Sequence, residues 1–220
     1  MAEWIIYVTD ILGTVAFSAS GAMIGIQRRL DLFGIIFISI ITSFGGGIVR
    51  DVVLGYFPPR MFSGFELIAI AAIVSVAVFV VSYVSNGRVV KRGETFEIIK
   101  NVVDAVGLAA FSIAGVQVTV SSGNADNAFL CVLMGMTTGV GGGILRDMMT
   151  RSIPYVFQKH VYALASLTGS LLFYLLVRFG ANDTVSWLAT MIFIVAVRVL
   201  AAKYKWSLPK IKSLNEEGKE

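Results

Sequence analysis

The ten residues at 42–51, TSFGGGIVRD, recur at 138–147 as TGVGGGILRD, identical at seven of ten positions. In both copies three glycines followed by Arg-Asp interrupt an apolar run of helical length. The triplet surrenders helix propensity, roughly 1 kcal/mol for each glycine, and the Arg-Asp puts charge where an apolar segment meets lipid. A costly feature written twice points to function. The repetition also extends upstream: DILGTVAFSASG at 10–21 aligns with DAVGLAAFSIAG at 104–115 at an offset of 94, with six of twelve positions identical. Between these blocks and the glycine motifs the second copy gains two residues, so that Gly45 pairs with Gly141 and Pro58 with Pro154 at an offset of 96.

Seven apolar runs are long enough to cross a bilayer core of about 30 Å: 4–26, 32–54, 65–84, 98–120, 127–149, 161–177 and 185–202. Only 15% of the 220 residues are charged and mean hydropathy is +0.81, whereas a soluble domain carries roughly 25% charged residues. The expected fold class is therefore an all-α integral membrane protein. Each copy of the repeat holds three runs, and three is odd, so consecutive copies must enter the membrane from opposite sides. The chain reads as two inverted three-helix repeats, related by a pseudo-two-fold axis in the membrane plane, plus a seventh transmembrane helix. The expected segments are a first repeat at 1–84, a cytoplasmic linker at 85–97, a second repeat at 98–180, the seventh helix at 181–202 and a cytoplasmic tail at 203–220.

Lysine and arginine fall unevenly between the runs. One side holds only Arg60 and Arg178, the other holds thirteen. The positive-inside rule places the N-terminus outside and the C-terminus in the cytoplasm of a cell that carries the chain as a multi-pass protein of its plasma (inner) membrane. The net charge of +4 thus reports topology, and nucleic acid is not an expected partner; membrane lipid is. Cys131 is the single cysteine and His160 the single histidine, which excludes an intramolecular disulfide and a zinc site built on cysteines. With no Walker loop, HExxH or CxxC, no catalysis, no metal and no cofactor are expected. The opening MAEWIIYVTD lacks a basic region, so no cleaved leader is expected. His160, beside Lys159, reads as interfacial, and Trp206 as an interface anchor for the tail.

Inverted repeats carrying glycine-interrupted helices at matching positions point to a solute or ion path at the repeat interface. Two readings of Gly45, Gly46, Gly47, Gly141, Gly142 and Gly143 stand side by side. Small residues allow close helix packing; alternatively, a loosened or broken helix exposes backbone carbonyls to a wet path lined or gated by Arg50, Asp51, Arg146 and Asp147. Adjacent positions do not face each other on a helix, so Arg50 and Asp51 are expected to find partners elsewhere, in the opposite repeat. The competing reading has the arginines snorkelling or locking helices together. Asp10 and Asp104 head the matched helices and precede Phe17-Ser18 and Phe111-Ser112. Carboxylates and hydroxyls are hard oxygen ligands for a passing cation, while the phenylalanines form either an apolar constriction or core. Arg198, late in the seventh run, is expected to snorkel or pair.

The paired GGG-[IV]-[LV]-RD motifs, the D…AFSxxG openings and the three-plus-three-plus-one layout resemble prokaryotic members of the trimeric intracellular cation (TRIC) channel family, over nearly the whole chain except the tail. That resemblance implies a homotrimer in which each protomer holds an hourglass-shaped pore, kinked at Gly45 to Gly47 and Gly141 to Gly143. The pore would conduct monovalent cations, chiefly potassium, with sodium the other candidate. Eukaryotic members carry a lysine-containing motif after one glycine segment; here Ile48-Val49-Arg50 and Ile144-Leu145-Arg146 stand in its place, so gating by calcium or phosphoinositides is not carried over. Bacterial sequences of this kind are also described as glycine transporters, which makes a secondary carrier of glycine or another small amino acid the alternative.

Overall fold

A computed structural model describes residues 3–85, 93–158 and 161–206. Arg88, Lys91 and Arg92 of the linker, Lys159, His160 and the tail beyond Trp206 lie outside the described residues. Among the described residues seven helices are long and apolar enough to cross a membrane: α1 (Glu3–Gln27), α2 (Leu32–Val53), α3 (Glu66–Val84), α4 (Gly93–Thr119), α5 (Ala128–Met149), α6 (Val161–Arg178) and α7 (Asp183–Lys203). Helix α4 starts earlier than its apolar run, because Gly93, Glu94 and Phe96 of the polar connection already continue its helical geometry.

The duplication is visible in how helices begin and end. Asp31 caps α2 by accepting the Gly34 N–H at 2.7 Å, and its repeat mate Asn127 caps α5 by accepting the Leu130 N–H at 3.0 Å. Both satisfy an otherwise orphaned donor of the first turn. At the other ends, Gly55 (φ 78°) and its mate Arg151 (φ 54°) adopt left-handed geometry. The next residues, Tyr56 and Ser152, each donate a backbone N–H to the carbonyls of Asp51 and Asp147 at 2.8 Å. This is the closing bond of a left-handed helix terminus; glycine adopts it without cost and arginine does not.

Helices α2 and α5 run through the glycine triplets as unbroken α-helix. The expectation of a broken helix is corrected here, and the packing supplies the reason. A Cβ at Gly46 would collide with the carbonyl of Thr138, and one at Gly142 with the carbonyl of Thr42. Each helix therefore lays a glycine on the backbone of the other, an approach that only a residue without a Cβ permits. A second reciprocal fit lies alongside: the Phe111 ring fills the space over Gly13, and the Phe17 ring that over Gly107. Phe17 and Phe111 meet edge to face with centroids 5.2 Å apart, a favoured geometry for aromatic quadrupoles.

Helix α7 packs on α4 and α6. Its Trp187 Nε1 donates to Thr9 Oγ1 at 2.7 Å. Near its other end Arg198 is buried, its guanidinium 4.5 Å from the Tyr162 ring centroid and 5.4 Å from that of Tyr155. Stacking on aromatic faces takes the place of the expected snorkelling or pairing. Cys131 is fully buried and free.

Candidate functional site

Two cavities lie along α1 and α4. The wide one, about 200 Å³, takes Ile6, Thr9, Asp10 and Thr14 from α1 and Phe111, Ala114, Gln117 and Val118 from α4. The narrow one, about 50 Å³, takes Ser20 and Ile24 from α1 and Lys100, Asn101 and Asp104 from α4. On each helix the cavity-lining stretches are thus separated by the Phe17–Phe111 contact. From Thr14 to Ser20 the rise is about 9 Å, so the rings and the glycine crossing form the partition.

The cavities are repeat mates. Ile6, Asp10, Ala114, Val118, Arg50 and Asp51 line the wide cavity, and their counterparts Lys100, Asp104, Ser20, Ile24, Arg146 and Asp147 line the narrow one. Both Arg-Asp motifs therefore face cavities inside the bundle. The glycines divide: Gly47 lines the wide cavity, while Gly45, Gly46, Gly141 and Gly142 pack between α2 and α5 and Gly143 sits beside the Tyr162 hydroxyl.

Within each motif the neighbours bind one another. Arg50 donates from Nε and Nη2 to Asp51 Oδ1 at 2.8 and 2.7 Å, and Arg146 donates from Nε to Asp147 Oδ1 at 2.9 Å. This corrects the expectation of separate partners. The long arginine side chain curls around the helix end, and the following loop holds the carboxylate in place: the Arg60 N–H donates to Asp51 Oδ2 at 2.9 Å, the Tyr155 N–H to Asp147 Oδ2 at 2.8 Å. In each pair both carboxylate oxygens accept a hydrogen bond, which offsets part of the cost of burying the charges.

The two ends then diverge. In the narrow cavity Arg146 Nη1 also donates to Asp104 Oδ1 and to Ser20 Oγ, both at 2.7 Å, and Ser20 Oγ donates to Asp104 Oδ1 at 3.0 Å. The opposite-repeat partner expected for an arginine of the motif is found here, in Ser20. In the wide cavity Ala114 replaces the serine, and among the described residues Asp10 makes no hydrogen bond or ion pair. Arg60 is exposed there, its guanidinium 4.4 Å from the Tyr56 ring centroid.

Ser18 and Ser112 line neither cavity. Ser18 Oγ donates to the Thr14 carbonyl at 2.7 Å, and Ser112 Oγ donates to the Leu108 carbonyl at 2.7 Å and lies 2.6 Å from Ser166 Oγ. Ser20, Thr14, Ser43 and Gln117 escaped the sequence reading. Their signal is that each is polar where its mate in the other copy, Ala114, Leu108, Gly139 or Met23, is not.

A family model described as "Glycine transporter" matches residues 7–83 and 101–178, one three-helix unit in each segment. The chain is 30% identical over 205 residues to a UPF0126 membrane protein of Vibrio cholerae, covering 93% of this chain and 82% of that protein. It is 29% identical over 219 residues to the UPF0126 inner membrane protein YadS of Escherichia coli K12, covering 98% and 100%. The crystal structure of a prokaryotic TRIC channel in 0.5 M KCl superposes with a TM-score of 0.82 at 30% identity, over 94% of this chain and 100% of that one. The two inverted units, their paired glycine crossing and these likenesses place the chain in that family, as a prokaryotic member of the TRIC channels.

Proposed function

We propose that each chain is a cation-conducting pore whose path runs from the wide cavity, past the Phe17–Phe111 partition, into the narrow cavity. The observation that carries this reading is a pair of Arg-Asp-lined cavities along α1 and α4, on either side of the Phe17–Phe111 contact. The conducted ion is a monovalent cation, chiefly potassium, and the assembly is a homotrimer in the plasma membrane, as the likeness to a TRIC channel supports. By the positive-inside count the wide cavity faces outward and the narrow one inward. In this reading the present state is closed: the aromatic partition excludes water, and the Ser20–Arg146–Asp104 triangle latches the narrow end. The glycine triplets give α2 and α5 a smooth crossing on which to bend or slide when the path opens.

A second reading, a carrier of glycine or another small amino acid, is favoured by one observation: inverted mates, one roomy and one shut, are what alternating access requires. Planar-bilayer recording of purified protein under a potassium chloride gradient separates the two, with Arg50→Ala and Asp51→Ala alongside. The pore reading expects discrete potassium-selective steps altered by both substitutions. A silent bilayer, together with saturable glycine uptake into liposomes containing the same protein, would establish the carrier.

A further inference from the structure

The wide cavity carries polar atoms that the duplication does not account for. Thr9, Thr14, Ser43 and Gln117 line it and are all buried; their mates are Val103, Leu108, Gly139 and Met23. Thr14 is 1% exposed, and its Oγ1 has no hydrogen-bond partner. A buried hydroxyl without a partner is costly, so such a group on a cavity wall is matched to something that enters the cavity. Thr14 lies one turn beyond Asp10, four residues on along α1, which puts the hydroxyl and the free carboxylate on one helix face.

We infer that Asp10 and Thr14 of α1, with Gln117 of α4, form a binding site for a monovalent alkali cation in the wide cavity, with no counterpart in the narrow one. The inference deepens the pore reading and rests on it for the site's role in conduction. Arg50 gives its Nε and Nη2 to Asp51, and Arg60 is exposed and stacked on Tyr56, while both guanidiniums still act on Asp10 electrostatically. Asp10 is the carboxylate of the cavity that makes no hydrogen bond or ion pair among the described residues, and its charge, already opposed by these guanidiniums, leaves room for no more than a monovalent ion. A divalent cation asks for more carboxylates or near-ideal octahedral oxygen geometry. In the narrow cavity the same carboxylate, Asp104, is neutralised by Arg146, and Leu108 stands in place of the threonine.

Crystals of the full chain soaked in rubidium chloride test this by anomalous scattering, for wild type, Asp10→Asn and Thr14→Val. The expected result is a rubidium peak touching Asp10 and Thr14 in wild type, lost in Asp10→Asn, weakened in Thr14→Val, and absent beside Asp104. No peak at Asp10, a peak that survives Asp10→Asn, or an equal peak beside Asp104 overturns the inference. Displacement of the peak by millimolar glycine also overturns it, since the site would then take an ammonium group. Bilayer recording of the same preparations keeps the two readings apart: a peak without currents sinks the pore and leaves the site, and currents without a peak do the reverse.

Discussion

In the narrow cavity Asp104 is held by Arg146 and Ser20; in the wide one its mate Asp10 has neither partner, because Ala114 stands where the serine would be and Arg50 gives its donors to Asp51. The backbone of the two ends is alike, down to the helix caps, the left-handed residue after each Arg-Asp motif and the loop amide bound to its aspartate. The difference therefore comes from a few side chains. Duplication supplied a symmetric frame with two equivalent cavities, and substitutions such as Ser20 against Ala114 and Thr14 against Leu108 gave one a closed hydrogen-bonded triangle and the other a carboxylate without a partner.

The comparison breaks most visibly at the aspartates. Asp104→Ala removes one of the two carboxylates bound to the buried Arg146 guanidinium, which keeps Asp147, and is expected to cost about 1.5–3 kcal/mol, whereas Asp10→Ala, with no bond to lose, is expected to cost no more than about 0.5 kcal/mol. Thermal unfolding of the detergent-solubilised protein measures both; equal losses would end the distinction between latch and free carboxylate. The glycine crossing comes next. Gly46→Ala and Gly142→Ala each drive a methyl into the facing backbone and are expected to cost about 1–3 kcal/mol. Gly47→Ala meets only Arg50 Nη2 at 3.6 Å, so the same assay is expected to find it neutral or slightly stabilised through helix propensity. Ser20→Ala opens the hydrogen-bonded triangle at about 1 kcal/mol, and the reverse change, Ala114→Ser, is expected to leave unfolding nearly unmoved. Opposite in sign, Thr14→Val removes a buried hydroxyl without a partner and is expected to raise stability by about 1 kcal/mol. A large loss there would mean that Thr14 is bonded within the protein.

The helical spans and the three-plus-three-plus-one order were legible because apolar length and the duplicated motif are properties of the sequence alone. The partnership of Arg50 with Asp51 was not. Helix geometry separates adjacent Cβ atoms, and only the rotamer of a long guanidinium at a helix end, with a loop amide nine residues on orienting the carboxylate, brings the pair together. The sequence left open whether α2 and α5 break at their glycines or pack closely through them, and the structure shows the packing. A triplet lowers helix propensity locally, and tertiary packing, here one helix laid on the other's carbonyls, overrides it. The asymmetry between the mouths stood in the sequence as mismatched pairs, but its meaning needed the cavities, which show that the mismatched residues face open space rather than lipid or core.

Val118 and Ile24 are repeat mates, one lining each cavity. A Val118→Cys and an Ile24→Cys variant, treated with a membrane-impermeant thiol reagent from each side of proteoliposomes, test the central claim most directly. The native Cys131 is fully buried and adds little background. The wide cavity admits a reagent that a space of about 50 Å³ does not. The account predicts rapid modification of the Val118→Cys variant from one side only, and protection of the Ile24→Cys variant until Asp104→Asn is added to release the latch. Equal rates in the two variants, or an Ile24→Cys rate indifferent to Asp104→Asn, would contradict it.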